Sequence, residues 1–154
     1  MSAQILITDT KEIKVLKEKI KDLKLDLADR RKLLESIGVE VESQTEERFE
    51  NQSDVSGNKW QDISAKTKAY YNKKGISGSI LNRTRQLRDT IESQTADSQV
   101  LVGAVKIYAA AHNYGDKKRN IPQREFLGLS SQNIVEIEYI INDFLENIIK
   151  EASN

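Results

Sequence analysis

Two apolar stripes with helical spacing, one near each end of the chain, constrain the fold more than anything between them. Ile13, Leu16, Ile20, Leu23 and Leu27 recur at intervals of 3, 4, 3 and 4, with lysines and acids filling the other positions. An α-helix brings such positions onto one face, because 3.6 residues make a turn. The rhythm continues through Leu34, Ile37 and Val41, with Arg30 where an apolar residue is due. A single helix of about 40 residues, heptad-like as in a coiled coil, would leave much apolar surface uncovered in so small a protein. A hairpin is therefore expected, broken near Asp26–Asp29, with Asp29 capping a second helix that runs to about Gln52. At the other end Ile134, Ile137, Ile141, Phe144 and Ile148 repeat the pattern, flanked by Val135, Ile140, Leu145 and Ile149. That stripe is wider than one partner needs. The C-terminal helix is expected to pack on a sheet and to touch something else.

The middle of the chain reads as strands, short helices and loops. Gln4, Ile5, Leu6 and Ile7 form a short strand pattern, and Thr8, Asp9 and Thr10 offer helix N-caps. Residues 51–58 (NQSDVSGN) are a polar loop, followed by Trp60, the only tryptophan. A polar helix is expected from about Ser64 to Lys73, and Gly75 and Gly78 bracket another loop. Thr90–Thr95 and Gln99–Val105 are the strand candidates, joined by the turn residues Ala96, Asp97 and Ser98. The second is apolar enough to lie centrally in a sheet. KIYAAAHNYG then fits a short helix ended by Gly115, and the segment around Pro122 is extended. A chain of 154 residues buries roughly 68–70% of its unfolded surface, enough for one core. The expected fold is α+β: a small antiparallel sheet packed with an N-terminal helical pair and a C-terminal helix. It forms a single domain over 1–154, with a helical N-terminal part (1–52), a middle of loops, sheet and short helices (53–129), and the final helix (130–151).

Chemistry is restricted by what the chain lacks. With no cysteine there is no disulfide framework, thiolate zinc site, iron–sulfur cluster or cysteine nucleophile, and a reducing compartment fits. One histidine rules out a poly-His metal site. No apolar run approaches the roughly 18 residues that a membrane span requires, and MSAQILITDT is not a signal peptide. His112 is the natural suspect for catalysis, as in a hydrolase. General acid–base work, however, needs a group that orients the imidazole. The nearest acid in sequence, Asp116, lies beyond the helix-ending glycine, so packing or hydrogen bonding is the stronger reading. The Gly75–Gly78 loop lacks the ending of a phosphate loop. No catalytic residue, cofactor or metal site is expected.

Zero net charge conceals segregation. Residues 31–56 carry three basic and seven acidic side chains, a net of −4; residues 57–90 carry eight and two, a net of +6; residues 127–154 hold Lys150 against five acids, a net of −4. Complementary faces within or between subunits account for this pattern best, given the balanced total. The alternative is a DNA-binding accessory protein using Arg83, Arg85 and Arg88, although no DNA-reading motif or aromatic interleaving accompanies them. The candidate interaction residues are Lys59, Lys73, Lys74, Arg83, Arg85 and Arg88, with Lys117, Lys118, Arg119 and Arg124 in the following loop. Trp60, Tyr108, Phe126 and Leu127 are expected to anchor loops on the sheet, and His112 is read as a further structural anchor.

Several ordered phrases carry a resemblance. They are Leu34-Glu35-Ser36-Ile37-Gly38, Thr45-Glu46-Glu47-Arg48-Phe49, Gly57-Asn58-Lys59-Trp60 and the run from Ile80 to Ile91 (ILNRTRQLRDTI). Val102-Gly103, Tyr108-Ala109-Ala110, His112 and Tyr114-Gly115 follow. Ile121-Pro122, Arg124 and Phe126-Leu127-Gly128-Leu129 complete the series. In this order, from about 33 to 130, the chain resembles the phage virion morphogenesis, or tail completion, family of Mu-like phages. Two departures stand out: Arg85 occupies a position where that family usually has glycine, and Glu125 one where a second proline is common. The resemblance implies a small structural protein of the phage neck or tail, with no enzymatic activity. It would act late in assembly, completing the tail or making the head–tail joint as a homo-oligomeric ring. Its partners would be other tail or connector proteins, with DNA in a central channel a further contact and no membrane. It would be found in the bacterial cytoplasm during assembly and then in the virion.

Overall fold

The computed structural model describes residues 11–154; the strand read at 4–7 and the caps at 8–10 lie outside them. The elements run α1 (Lys11–Asp22), α2 (Leu27–Asn51), α3 (Ala65–Lys74), a 3-10 turn (Arg88–Thr90), β1 (Ile91–Thr95), β2 (Val100–Ala104), α4 (Ala109–Tyr114) and α5 (Ser131–Ala152). The fold is α+β, with β1 and β2 forming an antiparallel hairpin. The described residues gather into two compact units. A terminal unit holds residues 11–44, Ser93–Val102 and Leu129–Asn154; a central unit holds Thr45–Glu92 and Gly103–Gly128.

The helical pair of the terminal unit is the expected hairpin, broken one turn earlier than the sequence suggests. Leu23 and Lys24 donate their N–H groups to Ile20 and Lys21, and Lys24 turns the chain at a φ of 50°. The cap is Asp26, not Asp29. The Asp26 carboxylate accepts the Asp29 N–H at 2.8 Å, because only a residue just outside the helix can reach back to a third-position amide. Arg30, which interrupts the apolar stripe, donates its guanidinium to the Leu25 carbonyl at 3.1 Å. Its head closes the hairpin instead of filling the core.

The stripes then meet. Leu16 of α1, Leu33, Ile37 and Val41 of α2, and Ile137 and Ile141 of α5 form the buried core of this unit. Val100 and Val102 of β2 pack against it, as do Phe144 and Leu145. Fully burying one such side chain contributes about 1.5–3 kcal/mol. Gly38 sits where α2 passes the hairpin: a Cβ there would come within 2.9 Å of Ser93 and of Val100 Cγ2. Glu42, a turn further along α2, accepts the backbone N–H of Ser93. The N-terminus of α5 is fixed by a capping box, in which Ser130 Oγ accepts from Asn133 N and Asn133 Oδ1 from Ser130 N, at 3.1 and 2.9 Å. Among the described residues β2 has β1 as its sheet neighbour. Its outward side chain Leu101 is half exposed.

The central unit is built around an aromatic cluster. Phe49, on the last turn of α2, meets Trp60 edge-on at 5.4 Å between ring centres and Phe126 at 5.1 Å. All three are buried. α3 starts at the Ser64 cap, whose Oγ accepts from Thr67 N at 3.1 Å, and ends at Gly75 with φ 62°. There the Gly75 and Ile76 N–H groups close onto the Asn72 and Tyr71 carbonyls. α4 ends at Gly115 as read from the sequence, at a φ of 76°.

Candidate interaction site

Polar side chains hold the loops of the central unit in place. Asn113, buried on α4, accepts the backbone N–H groups of both Phe126 and Leu127 on one side-chain oxygen, each at 3.0 Å. Arg48 donates from α2 to the Phe126 carbonyl at 2.8 Å, and the Trp60 indole N–H donates to the Glu125 carbonyl at 3.2 Å. Arg124 is 5% exposed. Its guanidinium donates to the carbonyls of Gln61 and Asp62 at 2.8 and 3.1 Å, and its backbone N–H to the His112 carbonyl at 2.7 Å. Burial lowers the pKa of Arg48 and of Arg124, opposed by Glu125 for the first and by Asp62 for the second. Trp60, Phe126 and Leu127 are buried, and the rings of Trp60 and Phe126 meet Phe49 of α2. An aromatic ring at a helix end offers a broad apolar platform.

Around this frame opens a cleft of about 850 Å³. Trp60, Tyr71 and Tyr108 supply aromatic surface to it, and Ile63, Ile76 and Ile80 supply aliphatic surface. Lys59, Lys68, Arg83 and Arg124 also line it against the single carboxylate of Asp62, four positive charges to one negative, a net of +3. Lys68 pairs with Asp62, and Lys59 donates to the Asn51 carbonyl at 2.5 Å. Arg83 lies over the Tyr71 ring, 5.7 Å from its centre. It has no carboxylate partner among the described residues. Gln52 reaches across to the Ile80 N–H at 3.1 Å and ties the loop 76–84 to the end of α2.

The other basic candidates divide. Arg88 is turned inward: its guanidinium lies 3.4 Å from Glu46 and 3.0 Å from Glu50, with the side chain 14% exposed. Part of the charge segregation read from the sequence is therefore satisfied within the chain. Arg85 is exposed and holds a φ of 58°. This is the left-handed conformation that suits the glycine expected there by resemblance. Lys73 and Lys74 are exposed in the last turn of α3, favourable at the negative end of a helix. Lys117, Lys118 and Arg119 are exposed in the α4 loop, with Arg119 paired to Asp116 at 2.7 Å.

His112 lines the cleft half-buried, its ring edge-on to Tyr108 at 6.1 Å. Burial, then the nearby Arg124 and Arg119, lower its pKa from 6.5. Its Nδ1 makes no hydrogen bond among the described residues. A neutral imidazole without an orienting carboxylate is poorly arranged for proton transfer. Among the described residues no three histidine, aspartate or glutamate side chains come together as a metal site, and no helix is long and apolar enough to cross a membrane. Sequence reading overlooked Arg48, Asn113 and Tyr71. Arg48 stands beside Phe49 in TEERFE and Asn113 beside His112, yet nothing in a linear sequence marks a polar residue as buried.

A family model, the phage virion morphogenesis family, matches residues 11–146. The chain is 28% identical to the Mu-like prophage FluMu G protein 1 of Haemophilus influenzae over 138 residues, covering 88% of this chain and 92% of that protein. It is 32% identical over 103 residues to a protein G of Escherichia phage Mu whose name refers to capsid assembly, covering 62% of this chain and 66% of that one. No solved structure matches.

Proposed function

Because this chain belongs to the phage virion morphogenesis family, we propose that it is a structural, non-enzymatic subunit that completes the tail or joins head to tail. It does so by associating with itself and docking other virion proteins. It works in the bacterial cytoplasm during assembly and remains in the tail or neck of the virion. The observation that carries this reading is the outer face of α5. Val135, Tyr139 and Ile149 are 54%, 70% and 64% exposed on a helix that buries Ile137 and Ile141 on its opposite side. Large apolar side chains grouped on a solvent-facing surface favour contact with another protein. A contact using different patches on successive copies generates a closed ring where the rotation permits. The name of the phage Mu relative, with its reference to capsid assembly, is consistent with work at the head–tail boundary.

Sedimentation or light scattering of the chain, alone and mixed with tail and connector proteins, tests this. A mass above that of one subunit, or a stable complex, is the expected result. A strict monomer that joins none of them removes the assembly reading.

The second reading, DNA contact, is favoured by the exposed cations Lys73, Lys74, Arg83 and Arg85. Duplex binding that weakens steeply with salt would support it, and no binding at low salt would eliminate it.

A further inference from the structure

The cleft of the central unit and the outer face of α5 are chemical opposites. The cleft carries aromatic walls and a net of +3, and of its cations Arg83 is exposed with its guanidinium on an aromatic ring and no acid beside it. On α5, Glu136 and Asp143 lie three residues before and four after Tyr139, which puts them on the same helical face. Val135, four residues before Tyr139, and Glu146, seven after it, share that face. All of these side chains are exposed. The α5 surface thus offers one protruding aromatic ring, 70% exposed, ringed by carboxylates.

We propose that the cleft of the central unit receives the Tyr139 face of α5 from a second copy of this chain. The inference rests on the self-association reading above and names the surfaces that make the contact. A cleft of about 850 Å³ cannot swallow a helix of roughly 10 Å diameter, but it accommodates the few side chains that project from one. Tyr139 enters between Trp60, Tyr71 and Tyr108. Its neighbours Glu136 and Asp143 reach Arg83 and Lys59 at the rim. Tyrosine in an aromatic pocket with charge-paired surroundings has the anatomy of a binding hot spot. The two surfaces differ, so the contact runs head to tail and propagates from copy to copy. It also gives a role to the negative charge of residues 127–154, which exceeds what Lys150 can balance.

The test uses the full chain. Wild type, Tyr139→Ala, Arg83→Glu and the charge exchange Arg83→Glu with Glu136→Arg are compared by sedimentation across a concentration series, with circular dichroism melts to verify folding. All three altered side chains are exposed, so melting should change little. Each single variant should weaken self-association about tenfold or more, and the exchange should recover much of it. Wild-type self-association left intact by Tyr139→Ala and Arg83→Glu overturns this contact while leaving self-association standing. A wild type that never self-associates removes the premise and the contact together. Loss of duplex DNA binding in Arg83→Glu, with its mass unchanged, assigns the cleft to a phosphate backbone and also overturns the proposal.

Discussion

The side-chain oxygen of Asn113 takes the backbone N–H of Phe126 at 3.0 Å and, at the same distance, that of Leu127. One amide on a six-residue helix therefore satisfies two consecutive donors in the segment that closes the aromatic cluster. Both donors sit on residues no more than 2% exposed, where water cannot replace the lost acceptor. Asn113→Ala should destabilise the protein by about 2–4 kcal/mol, since each unsatisfied buried group costs roughly 1–3 kcal/mol. Urea unfolding followed by Trp60 fluorescence is the measurement. A loss below about 0.5 kcal/mol would mean that the 126–127 backbone finds another acceptor.

Arg85 should be improved by the smallest residue. A non-glycine side chain in the left-handed region costs roughly 1–2 kcal/mol, and glycine returns about 0.5–1 kcal/mol of that through its more flexible unfolded chain. Arg85→Gly is thus expected to raise stability by about 0.5–1 kcal/mol, with the urea slope unchanged, whereas Arg85→Ala keeps the strain and brings no gain. The Arg85 carbonyl accepts the Asp89 N–H at 2.8 Å, a backbone bond that glycine retains.

Gly38 presents the opposite case. Helix propensity alone favours Gly38→Ala by roughly 1 kcal/mol. A Cβ there would lie 2.9 Å from the Ser93 side chain and from Val100 Cγ2, and both belong to a hairpin pinned by Glu42. Overpacking of this kind costs typically 1–3 kcal/mol. The net expectation is a loss of about 0–2 kcal/mol, read as a lower thermal midpoint. Val100→Ala in the same chain should reduce the penalty. A clear gain in Gly38→Ala alone would show that the hairpin yields.

The legible parts of this molecule are those written as periodicity. The stripes at 13–27 and 134–148 became α1, the start of α2 and α5 because burial of a spaced face is a local property of sequence. The hairpin and its turn residues were readable for the same reason. Asp26 and Asp29 were harder to separate: both are good caps, and only the placement of the break decides which carboxylate lies outside the helix. Arg124 and Arg88 read as a basic surface because charge is visible in a sequence and burial is not. Their partners are the carbonyls of Gln61 and Asp62 and the carboxylates of Glu46 and Glu50, far away in the chain. The cleft was invisible for that reason: it joins the end of α2, α3, the 76–84 loop and α4, which only the fold brings together.

Stability should depend on pH through two groups acting in opposite directions. Glu125 has a pKa raised from 4.5 by burial and then by Asp54, with Arg48 pulling the other way. The folded state then holds a proton that the unfolded chain releases, so this contribution is complete below about 4.5 and is lost as the pH rises through the folded value. His112 has a pKa lowered from 6.5, mainly by burial. Its contribution is complete above 6.5 and is lost as the pH falls through the lower folded value, because the unfolded chain takes up the proton first. Glu125→Gln should therefore be more stable than wild type near neutral pH, with the advantage fading as the pH falls and gone by about 4.5. His112→Gln should lose less stability than wild type between pH 6.5 and 5. Urea midpoints of the three proteins across pH 4–8 separate the effects, since each variant flattens a different limb of the curve. Parallel curves for wild type and Glu125→Gln would show that the carboxylate is solvated in both states.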